Sequence, residues 1–220
     1  MRADEVAHYL QNNPQFFEQY ADLMAQIAIP HPHGGRAISI TERQMLTLRD
    51  KNRQLEAKLG ELIGFGEEND AISEKMQRLA VALITAYTFP AVMHTLGYHL
   101  KEDFAVPQVA VRLWSLPAGE LDGLPEFAGV SEELQVFAET LTHPFCGSTS
   151  GFETSTWFGE ASTNIRSQAL IALRAGGGTI GMIALGAYDM ERFYAGMGTI
   201  YLERLGDMAS AAIARTLGTA

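Results

Sequence analysis

Few side chains in this sequence could carry out nucleophilic chemistry. Cys146 is the single cysteine, and His143 precedes it by three residues. A thiolate nucleophile needs a neighbouring base and an electropositive pocket, and His143 is the candidate base. Free cysteine is also among the residue types most often buried in proteins. We therefore expect a packing role for Cys146, with thiol chemistry or redox sensing as the alternative, and we predict that the protein is not an enzyme.

Histidine pairs raise the question of a metal site. His31 and His33 lie in the Pro- and Gly-rich segment 29–36, and their spacing could ligate a metal, but no further ligand cluster is nearby. His94 and His99 are five residues apart on one predicted helix, more than a full turn, which suits shared ligation poorly. We predict a turn at 29–36 and no metal, with anion binding by Arg36 as an alternative.

Aromatic and basic residues of the second half could line a ligand pocket. They flank the segment 115–162, which is rich in glycine and proline and is predicted to be mostly loop. Aromatic rings with a few polar groups suit a small-molecule pocket, and arginine suits an anionic group. The predicted ligand pocket consists of Arg112, Trp114, Phe145, Cys146, Trp157 and Arg166. The alternative is an aromatic core with exposed arginines.

A long helix is predicted to precede that region. Residues 39–42, Ser-Ile-Thr-Glu, match a helix-starting capping box, and apolar residues then recur at alternating spacings of three and four, as in a coiled coil. The predicted dimer seam consists of Met45, Leu48, Asn52, Leu55, Leu59 and Leu62. A buried asparagine pairs best with the same residue of a parallel second chain, so Asn52 favours a parallel homodimer. The alternative is that the stripe packs on the chain's own domain.

The periodicity of the remaining chain predicts an α+β fold. Two helices, separated at Asn13-Pro14, come first. The later elements are a helix, a strand, a short helix, a two-stranded hairpin and a closing helix, predicted at 89–104, 106–114, 132–141, 167–186 and 198–217. The predicted organisation is a helical segment with a loop over 1–38, a dimerisation and signalling helix over 39–78, and a domain with a central antiparallel sheet flanked by helices over 79–220.

Composition limits the partners and the location. The net charge is −10, and the basic residues of segment 43–58 are interleaved with acidic ones, as on a solvated helix face. We therefore expect no direct nucleic-acid binding. The sequence shows no apolar run of the roughly 18 residues that a membrane span needs, and its N-terminus does not resemble a signal peptide. We predict a cytoplasmic protein that does not contact membranes.

The end of the chain, from the strand at 169–173 through the strand at 179–186 to the final helix, resembles a GAF domain. The resemblance implies a GAF-like domain over 79–220. The motifs of better-known GAF chemistries are not found: cyclic-nucleotide binders share an Asn-Lys-Phe-Asp-Glu constellation, and bilin binders a cysteine followed by histidine. Cys146 is followed by Gly147, and one cysteine cannot form the disulfide of the methionine-sulfoxide reductases of this fold.

The N-terminal half resembles one family more closely. The resemblance rests on the motifs Asn13-Pro14-x-Phe16-Phe17, Pro30 to Arg36, Glu42-Arg43-Gln44, Leu48-Arg49, Asn52, Leu55-Glu56 and Asn69-Asp70. Together they are similar to DUF484, a bacterial GAF-like domain of unknown function. The resemblance covers nearly the whole chain and implies an architecture but no catalytic or binding residues. Family members are often encoded beside a tyrosine recombinase of chromosome-dimer resolution, which points to a partner.

These expectations combine into two functional hypotheses. The first is a homodimeric, non-catalytic GAF-like regulatory or sensor module that binds an unidentified small molecule and signals through the long helix. The second is a protein–protein interaction adaptor without a small-molecule ligand, acting with a tyrosine recombinase. An open aromatic pocket favours the sensor. A pocket filled by its own side chains favours the adaptor, with contact through Phe16, Phe17 and Tyr20.

Overall fold

The computed structural model describes residues 2–30, 37–116, 119–121 and 123–218. The chain divides into two compact units, residues 1–68 and residues 69–220. His31, His33 and Arg36, considered above as metal or anion ligands, lie outside the described residues.

The first unit begins with three short helices, α1 (Ala3–Asn12), α2 (Gln15–Gln19) and α3 (Ala21–Gln26). Asn13-Pro14 separates α1 from α2, as predicted. The sequence predicts a single second helix, but the structure divides it into α2 and α3. The break is at Tyr20, whose backbone leaves the helical region (φ −120°, ψ 35°) while its ring stacks on Phe16 at 4.8 Å between centroids.

A short hairpin connects these helices to the long helix. Strands β1 (Ala28–Pro30) and β2 (Ala37–Ser39) pair in an antiparallel register, which the sequence did not predict. The predicted turn at 29–36 therefore includes the end of one strand. Helix α4 (Ile40–Thr85) begins directly after Ser39, as the capping box indicates, and continues past residue 78.

The second unit contains a four-stranded antiparallel sheet. Its strands, listed in chain order, are β3 (Gln108–Leu113), β4 (Phe145–Gly147), β5 (Ser167–Ala175) and β6 (Gly178–Ala187), and their spatial order is β3-β6-β5-β4. Gly176 and Gly177 join β5 to β6 with positive φ values of 59° and 83°, which two-residue hairpin turns favour. The predicted α+β fold with a central antiparallel sheet is confirmed.

Helices cover both faces of this sheet. Strand alternation sends Val111, Ile171 and Ile183 to one face, where they form a core with α5 (Phe89–Glu102) and α7 (Ile200–Leu217). It sends Leu170 and Met182 to the other face, which packs on α6 (Glu132–Thr140) and on a 3₁₀-helical segment, Glu153–Asn164. The sequence predicts α5, α6 and α7 to within about two residues at each end, but not the 3₁₀ segment.

Two features hold α7 in place. Gly206 lies against β5: a Cβ atom there would come within 2.7 Å of Ile171 Cγ2, so only glycine allows this approach. Near the C-terminal end of α7, the Arg215 guanidinium donates to the carbonyls of Leu83, Ile84 and Ala86, at 2.6–3.0 Å. Leu83 and Ile84 belong to the last turn of α4, where intrahelical donors run out, and the Leu83 carbonyl also accepts the Ala86 backbone N–H.

Candidate functional site

Arg112 and Trp114 lie on the side of the sheet opposite Val111, as the alternation of side chains along the strand predicted at 106–114 implies. The Arg112 guanidinium carbon lies 5.1 Å from the centre of the Trp157 ring, a cation–π geometry, and Nη1 donates to the Val111 carbonyl at 2.9 Å. Burial lowers the pKa of Arg112, and the nearby carboxylate of Glu126 partly opposes that effect. The structure therefore brings the first arginine of the predicted pocket onto one of its tryptophans.

An aromatic layer covers this face of the sheet. Its members are Phe137, Phe145, Phe152, Trp157 and Phe158. Phe145 packs on Phe137 and Phe152 with centroid distances of 6.1 and 4.9 Å, which are favourable for aromatic pairs. Phe158 is buried, and Met182 beneath the layer is completely so. The chain's own side chains thus pack together on the face that carries most residues of the predicted ligand pocket.

Two residues of the predicted pocket lie elsewhere. Cys146 belongs to the core on the opposite face of the sheet, because Phe145 and Cys146 are neighbours on β4 and neighbours on a strand alternate. Arg166 is exposed, and its backbone N–H donates to the Ala187 carbonyl. The structure therefore groups Arg112, Trp114, Phe145 and Trp157, but not Cys146 or Arg166.

The Cys146 thiol is expected to be unreactive in the folded protein. Burial raises its pKa to about 11, so at pH 8 only about 0.1% of the thiol is ionised, against roughly a quarter at an ordinary pKa. We expect 5,5′-dithiobis(2-nitrobenzoic acid) to react with the thiol of the folded protein at a rate at least about a hundredfold lower than with that of the urea-unfolded protein. Rapid modification of the folded state at pH 8 would show an activated thiol instead.

A polar cleft of about 220 Å³ lies between segment 141–144, β5 and α7. In it, His143 Nδ1 and Glu203 Oε1 are 2.9 Å apart, and the Thr199 hydroxyl donates to the same carboxylate oxygen at 2.7 Å. The hydrogen bond from Thr199 and, to a smaller extent, that with His143 lower the pKa of Glu203. His143, considered above as a base for Cys146, is thus paired with a carboxylate of α7.

Arg174 and Asp207 also line this cleft, and neither was predicted as a site residue from the sequence. Arg174 Nη2 donates to the carbonyls of Ala138 and Leu141 at the end of α6, and its backbone N–H donates to Ser210 Oγ at 2.9 Å. The guanidinium therefore joins α6 to β5. A mid-helix glycine, Gly206, was the available sequence signal, because it allows α7 to come close enough to close the cleft.

The predicted dimer seam lies along the first part of α4. Its five apolar members are 49–65% exposed, and Asn52 is exposed between them. The apolar members are Met45, Leu48, Leu55, Leu59 and Leu62. The single chain therefore presents a regular apolar stripe to solvent over this part of the helix.

Neither histidine of the α5 pair is placed to share a metal with the other. His99 Nδ1 lies 2.6 Å from Asp103 Oδ2, whereas the His94 ring faces Tyr98. Within the described ranges, no group of three or more His, Cys, Asp or Glu side chains is arranged to hold a metal ion. In those same ranges, every helix is too short or too polar to traverse a lipid bilayer.

These features define an α+β protein in which a helical unit with an exposed seam precedes a sheet domain whose aromatic face is filled. The family model described as "Protein of unknown function, DUF484" matches residues 1–217, so the chain belongs to that family. No curated protein matches the sequence significantly. The family description names no activity, so a function has to be argued from the geometry.

Proposed function

We propose that this protein is a non-catalytic interaction module that self-associates through the first part of α4. The observation that carries the proposal is the exposure of 49–65% at five apolar seam positions of one helix. Burying a leucine side chain contributes about 1.5–3 kcal/mol, so a regular stripe of such residues strongly favours a partner. The heptad spacing matches the seam of a two-stranded coiled coil.

Asn52 supports a parallel second copy as the partner. In a parallel, in-register pair the two Asn52 side chains face each other and exchange hydrogen bonds across the seam. In an antiparallel pair, or on an apolar surface of the chain itself, the amide would be buried without that partner, at a cost of about 1–3 kcal/mol. Of these arrangements, the parallel homodimer both buries the apolar seam residues and gives the Asn52 amide a hydrogen-bond partner.

The same helical register indicates where the seam ends. Continued along α4, it reaches Asn69 and Ser73, and both are engaged with α7: the Tyr201 hydroxyl donates to the Asn69 carbonyl and bonds the Ser73 hydroxyl, each at 3.0 Å. The next position, Met76, is buried in the core of the sheet domain. These contacts support a model in which α4 packs within the sheet domain after residue 68 and binds a second chain over residues 45–62.

The aromatic layer supports the adaptor over the small-molecule sensor, because its rings pack on each other where a GAF-like ligand would bind. The sensor is the second candidate function. It is favoured by Arg112, whose guanidinium makes one hydrogen bond, to Val111, among the described residues.

The buried Cys146, which lies on the other face of the sheet from that layer, supports a non-catalytic role. The family resemblance suggests a tyrosine recombinase as the partner of the adaptor.

Native mass spectrometry of the purified protein tests both functions together. We expect a dimer without a bound small molecule, and the same dimer mass after mild activation in the gas phase. A dimer that releases a defined small mass would support the sensor and identify the class of ligand. A monomer at micromolar concentration would contradict self-association through α4.

A further inference from the structure

We propose that helices α1 and α2 of one chain pack against the first half of α4 of a second copy. The inference rests on the proposed self-association through α4 and adds a second contact to it. It concerns two surfaces, the N-terminal aromatic surface, defined as Tyr9, Phe16, Phe17 and Tyr20, and the basic stripe, defined as Leu46, Arg49 and Arg53.

The N-terminal aromatic surface is a contiguous patch centred on Phe16. The Tyr20 ring stacks on Phe16 at 4.8 Å, and the rings of Tyr9 and Phe17 meet it edge-on at 6.3 and 6.0 Å. The three outer rings are 42–55% exposed in the single chain. Clustered exposed aromatic rings of this kind are typical of protein interaction sites.

The charges beside the aromatic surface select the kind of partner. Residues 2–23 carry one arginine against four carboxylates, those of Asp4, Glu5, Glu18 and Asp22. All four are exposed, and Glu5 is the one with a described hydrogen bond, to the backbone of Arg2. An apolar surface on an acidic segment is complementary to a basic helix that carries apolar side chains.

The first half of α4 is such a helix. Residues 40–62 carry five basic side chains against four acidic ones, and the positive charge is concentrated at 49–53, with three basic side chains against one acidic. Leu46, Arg49 and Arg53 follow one another at spacings of three and four, so they share a face of α4 that differs from the seam. Leu46 is 41% exposed, and the Arg53–Asp50 ion pair, 3.9 Å long, lies between two highly exposed side chains. The stripe offers both an apolar contact and positive charge.

A second copy is the occupant that the structure favours. In the single chain the N-terminal aromatic surface and the basic stripe are both exposed, so the chain does not cover one with the other. A parallel α4 pair would place the stripe of each chain beside the seam, and it would leave that stripe accessible to α1 and α2 of the other chain.

Disulfide cross-linking between two differently labelled chains tests the proposal. Both chains carry Cys146→Ser; one carries Phe17→Cys, and the other, distinguished by a mass tag, carries Leu46→Cys. We expect a disulfide-linked heterodimer after mild oxidation of the mixed, refolded chains, with far-UV circular dichroism confirming that each variant folds. A chain with both cysteines that forms only an intrachain disulfide would overturn the proposal, because it would place α1 and α2 on their own α4.

A seam cross-link separates failure of this proposal from failure of the proposed function. Leu48→Cys chains should form a homodimeric disulfide through the seam. If they do and the Phe17→Cys and Leu46→Cys chains do not, self-association stands and the additional contact is wrong. If neither pair reacts, both proposals fail.

Charge reversal supplies a second measurement. Glu18→Lys/Asp22→Lys on the Phe17→Cys chain is expected to reduce the yield of heterodimer about fivefold, the effect of roughly two exposed ion pairs. Arg49→Glu/Arg53→Glu on the other chain should restore the yield. A yield that neither change affects would contradict charge complementarity and overturn the proposed pairing.

Discussion

The double variant Leu55→Glu/Leu59→Glu is expected to be monomeric at concentrations at which the wild-type chain is a dimer. Both residues lie in the predicted dimer seam and are 64% and 58% exposed in the single chain. Each replacement removes about 1.5–3 kcal/mol of apolar burial per chain and places like charges opposite each other across the seam. The dissociation constant should therefore rise by at least about a thousandfold, as measured by sedimentation equilibrium.

A matched control distinguishes the loss of the seam from the effect of added charge. Gln54→Glu/Ala57→Glu adds the same two carboxylates to the same turns of α4, at exposed positions that lie off the seam. This variant should remain a dimer with a dissociation constant within about tenfold of the wild type, because exposed charges on a helix contribute little. Equal dissociation of the two variants would show that charge, and not the apolar stripe, controls association.

Loss of the dimer should leave the sheet domain folded. Residues after 68 form a core of their own, in which Leu79 and Leu96 are fully covered beside α5 and α7. The proposed self-association through residues 45–62 involves none of the residues of that core. A sheet domain that folds without the seam is what the proposed adaptor requires.

The sequence predicts elements whose folding signals are local. β5 and β6 are long apolar runs joined by a glycine turn, so their hairpin was predicted closely. The capping box and the heptad stripe predicted the start of α4 but not its end at Thr85. The facing of β3 was also predicted, because alternation along a strand fixes which side Arg112 and Trp114 share. These signals need no knowledge of the rest of the fold.

Elements that depend on distant partners were not predicted. β4 has three residues, and it is a strand because Cys146 pairs with Ala169 of β5. Because β4 was not predicted, Phe145 and Cys146 were not expected on opposite faces of the sheet. The polar cleft was missed for the same reason: Arg174 and Glu203 line one cleft only when α7 packs on β5, and no local pattern links them.

Gly181→Ala is expected to lower the free energy of unfolding by about 3 kcal/mol, because the added methyl group has no space. A Cβ atom at Gly181 in β6 would overlap the Arg112 carbonyl oxygen and come within 2.7 Å of Leu113 Cδ2. The carbonyl belongs to the backbone of β3, which can move away only by disturbing the β3–β6 pairing. Urea unfolding followed by circular dichroism measures the change.

Gly178→Ala, on the same strand, is the control for the intrinsic effect of replacing glycine. A Cβ atom there meets no other atom within 4 Å, so this variant should unfold within about 1 kcal/mol of the wild type. An equally small effect at Gly181 would mean that β3 and β6 lie further apart than described. Since Arg112 lies on β3, a widened pairing would also move its guanidinium relative to Trp157 and weaken their cation–π contact.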